Sequence, residues 1–470
     1  MTSVAAEGAV PVAKAPSPAY AWYVVAILLL AYTLSFVDRM ILSLLVGPIR
    51  ADLGISDTQM SLLMGLAFAI FYSALGIPLG WLADRGGRRG LIVAGIASWS
   101  LMTAACALAR NYAALFLVRI GVGVGEATLS PAAYSLLGDY FARDKLGRAM
   151  AVYSIGVPLG SGVALVAGSL VVKFVTEGPP IVLPVLGALA PWRLTFLCIG
   201  APGLLVAALV AMTVREPRRL GAADKAVPGE FVAFLRAHPT ALLAHFSGMS
   251  LVALVMYGAM AWIPQFLHRT YGMPVAQAGL WFGAATAVCG ACGLLIGGWL
   301  ADNLYRRGYK DAHLRVIRLN ALLLLPLFVG MALAPTEPLA LALMIAGMLL
   351  GTLHGGVAGA ALQMIAPNRL RARIVAMYFL VANLIGLGLG PTAIALVTDK
   401  VFHDDAALRY GLAIVTAVAL PVSALILTLG LRPFARAVEA SERRVSSPEA
   451  CPPRAPLAMD VAGPNARQNT

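Results

Sequence analysis

Twelve stretches of this chain stay apolar for 18 residues or more, and no other feature constrains its fold so strongly. They lie at 20–45, 58–82, 90–109, 112–138, 147–172, 193–214, 240–266, 277–301, 316–335, 338–366, 373–398 and 409–431. A run of that length spans the hydrocarbon core of a bilayer as a helix. In lipid only helices and closed barrels satisfy the backbone, and these runs are too long for barrel strands and lack period-two alternation. An all-α membrane protein with twelve transmembrane helices follows. Composition agrees: 60% of the 470 residues are hydrophobic and 12% charged, about half the charge of an ordinary soluble chain. No short apolar core with a cleavage site precedes Ala21, so the first span is read as a retained anchor.

The net charge of +13 raises the question of nucleic acid. Distribution answers it. With the N-terminus inside, 26 of the 35 Lys and Arg fall on cytoplasmic segments and seven on outer loops. That imbalance is the positive-inside rule, and it places both termini in the cytoplasm. The basic segments face anionic headgroups of membrane lipids rather than nucleic acid. Five scattered cysteines make no disulfide framework, and Cys289 and Cys292, within VCGACG, read as helix packing rather than metal or redox chemistry.

The chain is duplicated. A shift of 218 lays GWLADRGGRRG (80–90) over GWLADNLYRRG (298–308) without a gap, and places Gly54 on Gly272. At a shift of 225, Tyr153 falls on Tyr378. Two parallel copies of six spans are expected, at 20–214 and 240–431, with a transport site at their interface near mid-membrane. The remaining segments are a short cytoplasmic piece (1–19), a basic linker (215–239) and a tail (432–470) rich in Pro, Ser and Arg and expected to be disordered. Within the linker, FVAFLRAH reads as an interfacial turn or two. The loop EGPPIVLPVLGALAPW, broken by four prolines, is expected at the surface.

Four ionisable residues other than His lie well inside the spans: Asp38 and Arg39 on span one, Arg119 and Glu126 on span four. Each costs about 2.5–3.5 kcal/mol if left in lipid, so all four are expected to face a cavity or one another. Arg119 and Glu126 share a helix face roughly 10.5 Å apart, too far to pair. Asp38 and Arg119 stand at nearly equal depth, which predicts that they pair. Glu126 is then a second acid, and Arg39 is free to face the cavity. All four ionised sum to zero, so protonating one carboxylate frees a cation, a means of linking proton binding to anion capture. Gly121, Gly123 and Gly125 are read as close helix packing; no strand precedes them, so a phosphate loop is excluded. The second half has no Asp, Glu or Lys well inside its spans. Tyr153, Tyr257, Thr286, His354, Tyr378 and Asn383 are its candidate cavity lining together with the first half. His245 and His354 read as packed, hydrogen-bonded residues rather than ligands.

The loop after span two resembles the signature of the major facilitator superfamily at Gly80, Leu82, Ala83, Asp84, Arg85, Gly87, Arg88 and Arg89. The resemblance implies a cytoplasmic gate in which Asp84 and its copy Asp302 latch onto the opposite half. The second copy departs from the pattern at Asn303, Leu304 and Tyr305, which implies a weaker latch. SFVDRMILSLLVGPI, RIGVGVGEATLSPAAYSLLGDYF and GRAMAVYSIGVPLGSG further resemble the spinster branch, whose members move lysophospholipids or sphingosine-1-phosphate. That resemblance implies Asp38 and Glu126 as the proton-titrating pair, Arg119 coupled to Asp38, and Arg39 at an anionic headgroup. The expectation is a monomeric proton-coupled transporter of an anionic amphiphile, multi-pass in a bacterial inner membrane, with protons as its coupling ion and no other cofactor. Two rival transporters remain: a carrier of a small organic anion and a drug/proton antiporter. A membrane enzyme is disfavoured: no HExxH exists, the six histidines are scattered, and Ser130 has no evident His partner.

Overall fold

The computed structural model describes residues 17–446, except 86, 142, 178–181, 184–186, 218–228 and 368–369. In the first half, α1 (Pro18–Leu44) is span one and α2 (Val46–Leu53) a short helix beyond it. Span two is α3 (Asp57–Met64) and α4 (Leu66–Arg85); span three is α5 (Arg88–Cys106). Span four is α6 (Tyr112–Glu126) with α7 (Leu129–Tyr140). Spans five and six are α8 (Arg143–Glu177) and α9 (Pro191–Thr213). Within the linker, α10 (Glu230–Ala237) is a short helix. In the second half, spans seven to nine are α11 (Pro239–Tyr271), α12 (Val275–Arg306) and α13 (Ala312–Leu333). Span ten is α14 (Glu337–Gly351) with α15 (His354–Ile365). Span eleven begins as α16 (Arg371–Asn383), includes α17 (Gly390–Leu396), and is followed by span twelve, α18 (Leu408–Ser446). Eleven of these spans are long and apolar enough to cross a membrane among the described residues, and α8 supplies the twelfth with the apolar stretch Leu159–Phe174. The proline-broken loop before α9 holds a hairpin of two-residue strands, β1 (Val182–Leu183) and β2 (Gly187–Ala188).

Local chemistry sets the helix ends. Ser56 and Gln59 form a reciprocal capping box at α3, satisfying two otherwise orphaned N–H groups. Gly54 after α2 and Gly272 after α11 both adopt left-handed backbone, φ +63° and +72°, a conformation that favours glycine. These two glycines are superposed by the 218-residue repeat, so the duplication extends to backbone conformation. The break between α6 and α7 at Ala127 and Thr128 recurs 225 residues later, between α14 and α15, at Thr352 and Leu353.

Span eleven departs from α-helix in two wide π segments, Leu384–Leu389 and Val397–Phe402, flanking α17. Its sequence LIGLGLGP lets backbones approach closely. A Cβ on Gly65 of span two would stand 2.5 Å from the Leu387 carbonyl oxygen, and one on Gly390 would collide with the Leu254 carbonyl in α11. The halves also meet where Gly162 of α8 and Gly283 of α12 face each other's backbones.

The tail departs from expectation. Composition predicts disorder from Arg432, but α18 runs on to Ser446. Phe434, Ala437 and Val438 on this extension are buried in a cluster that includes Phe234 of α10. Glu442 accepts hydrogen bonds from Lys310 Nζ at 2.8 Å and from the Tyr305 hydroxyl. A buried apolar stripe and a side-chain anchor outweigh a composition that would leave an isolated segment unfolded. The first and last residues, 1–16 and 447–470, lie outside the described residues.

Candidate functional site

The four intramembrane charges meet between α1 and α6, all within the first half. Glu126, 1% exposed, closes α6, where the helix C-terminus disfavours a carboxylate. Two donors from α1 offset that. Ser35 Oγ and Arg39 Nε each donate to Glu126 Oε2 at 2.6 Å. Residues 35 and 39 are one helical turn apart and share a face, so both reach the same oxygen. Arg39, expected to be free, is therefore ion-paired: in a low dielectric it takes the nearest anion. Glu126 Oε1 has no hydrogen-bond partner among the described residues.

Asp38 and Arg119 come together, though by a different bond from the one expected. Arg119 Nη1 donates to the backbone carbonyl of Asp38 at 3.2 Å, not to the carboxylate. Arg119 is fully buried and Asp38 2% exposed. Asp38 Oδ1 and the Nε and Nη2 groups of Arg119 lack hydrogen-bond partners among the described residues. The glycines of α6 give the close packing expected. Each lacks room for a Cβ: Gly121 faces Met102, Gly123 the backbone of Phe68, and Gly125 the backbone of Trp99.

Aromatic rings surround the Arg39 guanidinium. Its Cζ stands 5.1 Å from the ring centre of Phe36, 4.6 Å from Phe68 and 4.7 Å from Tyr72, a cation–π arrangement. Arg39 also borders a small cavity between the halves, lined by Met40, Ser43, Met64, Tyr257, Met260, Ala261, Leu387 and Pro391. The repeat explains one of these. A shift of 218 carries Arg39 to Tyr257, and the counterpart of Glu126, at a shift of 225, is Gly351. The two copies of one position thus face the same cavity, one cationic and one aromatic.

Of the six expected lining residues, Tyr257 borders this cavity, and its hydroxyl donates to Asn383 Oδ1 at 3.5 Å. Asn383 is held beside it by that bond, and the other four are packed elsewhere. Tyr153 is buried by stacking on Tyr32, 5.0 Å between centres, with Tyr134 edge-on. Its counterpart Tyr378 packs on His245 and Phe246. Thr286 spends its hydroxyl on the Phe282 carbonyl within α12. His354 Nδ1 meets Asn320 Oδ1 at 3.1 Å, and His245 Nε2 meets the Ala358 carbonyl at 3.0 Å, so both histidines are hydrogen-bonded within the second half. Cys289 and Cys292 are unpaired.

At the basic face, the side chains of Asp84 and Arg85 and the surroundings of Gly80 lie outside the described residues. Arg88, 1% exposed, donates to Glu216 Oε1 at 2.7 Å, to the Ser135 and Pro217 carbonyls at 3.1 Å, and to Asp139. The Arg89 side chain donates to the Ala211 carbonyl. Both staple the first half to itself. The Lys310–Glu442 pair does the same for the second, and hydrogen bonding to Glu442 raises the Lys310 ammonium above its usual range. Asp302 faces His313 of its own half.

The opposite face carries a network that sequence reasoning missed. Asp57, fully buried, accepts from Arg269 Nη1 and Nη2 at 2.5 and 2.8 Å and pairs with Arg50 Nη1 at 3.0 Å. Arg50 reaches Asp405 at 2.6 Å, and Asp399 accepts from the Thr58 N–H and hydroxyl at 2.7 and 2.6 Å. The Arg269–Asp57, Arg50–Asp405 and Thr58–Asp399 bonds join the first half to the second at the face away from the basic loops. Their partners are hundreds of residues apart, so no local pattern signals them.

Comparison with known proteins agrees with this architecture. Residues 28–391 match the Major Facilitator Superfamily. An MFS-type efflux pump of Mycolicibacterium smegmatis is 31% identical over 86% of this chain and 90% of its own. Protein spinster homolog 1 of Homo sapiens is 28% identical over 82% of this chain and 74% of its own. A probable L-galactonate transporter of Escherichia coli is 28% identical over 62% of this chain and 64% of its own. Among solved structures, a bacterial homolog of the human lysosomal transporter spinster, crystallised inward-facing and unoccupied, superposes with a TM-score of 0.75. It is 27% identical and covers 92% of this chain and all of its own. The same protein in an inward-facing, occupied conformation superposes equally well. With two six-helix halves, a cavity between them and a family match across most of its length, this chain is a multi-pass membrane transporter of the major facilitator superfamily, not an enzyme.

Proposed function

We propose that the protein is a proton-coupled secondary transporter of an anionic amphiphile, a lysophospholipid or sphingolipid-like molecule, working by alternating access in a bacterial inner membrane. The Arg39–Glu126 ion pair at the edge of a methionine-lined cavity carries this reading. One wall offers a cation, and Met40, Met64, Met260 and Leu387 offer apolar surface to a tail, methionine being adaptable to varied shapes. Protonating Glu126 removes the charge that holds Arg39, and the freed guanidinium then takes an anionic headgroup. Releasing the headgroup returns Arg39 to Glu126 as the proton leaves. Asp38 is the second acid of the cluster, held against Arg119. The basic face is the cytoplasmic one, and the opposite network is the closed outer gate. Asp84, Arg85, Arg88, Arg89 and Asp302 belong to the cytoplasmic gate, formed when the outer one opens. The chain acts as a monomer.

A second reading, transport of a small organic anion or export of drugs, is favoured by relatives named as an L-galactonate transporter, a hexuronate transporter and an efflux pump. The test is proton movement in liposomes containing the purified protein, on addition of an anionic lysolipid, a hexuronate or a cationic dye. Lysolipid-driven proton flux lost in Asp38→Asn and Glu126→Gln supports the amphiphile. Flux with hexuronate or dye alone transfers the assignment to the second reading.

A further inference from the structure

We infer that Ser35 is a positioning residue for proton binding: it fixes Glu126 so that the proton enters at Oε1, and it sets the pH at which this happens. The inference rests on the proposed proton coupling and deepens it. Oε2 accepts two hydrogen bonds, from Ser35 Oγ and Arg39 Nε, both at 2.6 Å. A proton placed on Oε2 would point at those donors and displace at least one of them. Oε1 is buried and has no partner among the described residues, so it accepts a proton without breaking either bond. The carboxylate is thus divided into a held oxygen and a titrating one.

The two donors respond differently once the proton is bound. Arg39 is released when Glu126 loses its charge, because a charge-assisted bond weakens when one partner becomes neutral. Ser35 keeps a weaker bond, since a hydroxyl still donates to the oxygen of a neutral carboxyl, though less strongly than to the anion. Glu126 therefore stays in place while Arg39 turns to the cavity, and it offers the same oxygen when Arg39 returns. The charged and titratable groups around this pair are Tyr32 on α1 and Tyr72 on α4 beside Arg39, Asp38 on α1 beside Glu126, and Arg119 on α6 behind Asp38; from the second half Tyr257 approaches Arg39. None of them donates to Glu126 in place of Ser35. The counterpart of Ser35 in the repeat is Ala253, which has no hydroxyl to give, so this donor belongs to the half that carries the charges.

Removing the hydroxyl withdraws one hydrogen bond from the anion, which moves half-protonation of Glu126 upward by about one pH unit. The test is an infrared pH titration of the full-length protein in detergent, following the carboxylic C=O stretch that Glu126→Gln abolishes. This readout does not require transport. Ser35→Ala is expected to raise the midpoint by about one pH unit, and Ser35→Thr, which keeps a hydroxyl, to hold it within a few tenths. Equal midpoints for the unaltered protein and Ser35→Ala would overturn the inference, as would a Ser35→Thr midpoint that moves as far as that of Ser35→Ala. If the band titrates as expected while no substrate moves protons in liposomes, the transport reading fails and the positioning role of Ser35 stands.

Discussion

Arg269→Gln should open the face that the structure shows closed. The substitution removes two of the three donors on Asp57, those at 2.5 and 2.8 Å, and leaves the Arg50 contact at 3.0 Å. Asp57 has no exposed side-chain surface and Arg269 only 12%, so solvent screening offsets little of the loss. Removing one partner of a buried pair costs about 3–5 kcal/mol. The surviving Arg50 contact reduces this to about 2–3 kcal/mol. All of that cost falls on the state in which the halves meet at this face, because parting them breaks the pair anyway. The open population then rises roughly 30- to 160-fold. The assay is alkylation of Ser43→Cys, in a background freed of the native cysteines, by a membrane-impermeant reagent supplied from that face alone. Ser43 is 2% exposed and lines the cavity, so its labelling rate follows the open population. As a control, Lys173→Gln breaks an exposed pair and should leave the rate unchanged. A rate within twofold of the parent for both Arg269→Gln and Asp57→Asn would refute the assignment of this network as the tie between the halves.

Two further outcomes rest on the packing. Gly65→Ala places a Cβ 2.5 Å from the Leu387 carbonyl oxygen and 3.0 Å from that of Gly388; it should speed the same alkylation without unfolding the protein, since the clash vanishes once spans two and eleven part. Arg88→Ala leaves the carboxylates of Asp139 and Glu216 without the guanidinium that bridges them and should cost about 3 kcal/mol, read as a fall of several degrees in thermal unfolding. Arg88→Lys should recover only part of it, because a lysine lacks the planar fork.

The twelve spans and the duplication were legible because each has a local signature: long apolar runs, and the motif at 80–90 stated again at 298–308. The charges were legible for the same reason, since a charged residue in such a run stands out. Which charge holds which was only partly so. Depth along the helices brought Asp38 to Arg119 but not to the bond it makes, because a one-dimensional reading carries no rotation about the helix axis. Ser35 went unnoticed as an ordinary polar residue, although its place four before Arg39 was the signal. The network at the opposite face depends on Asp57 meeting Arg269, 212 positions away, and only the folded chain brings them together. The tail was misread because composition weighs every residue equally, whereas the helix to Ser446 is held by Phe434 and Glu442 in particular.

The balance of the four buried charges bears on what can drive the cycle. Asp38, Arg39, Arg119 and Glu126 sum to zero when ionised, and the second half adds no acid or lysine well inside its spans. In the proposed cycle the empty carrier crosses neutral, and a carrier holding one proton and one monoanion crosses neutral as well. A transmembrane voltage does work of about 2.3 kcal/mol per elementary charge per 100 mV, and here it finds no net charge to move. Such a carrier is electrically silent: the pH difference across the membrane, rather than the voltage, sets how far its cargo accumulates. A dianionic cargo would instead make the loaded carrier negative and tie its return to the membrane potential.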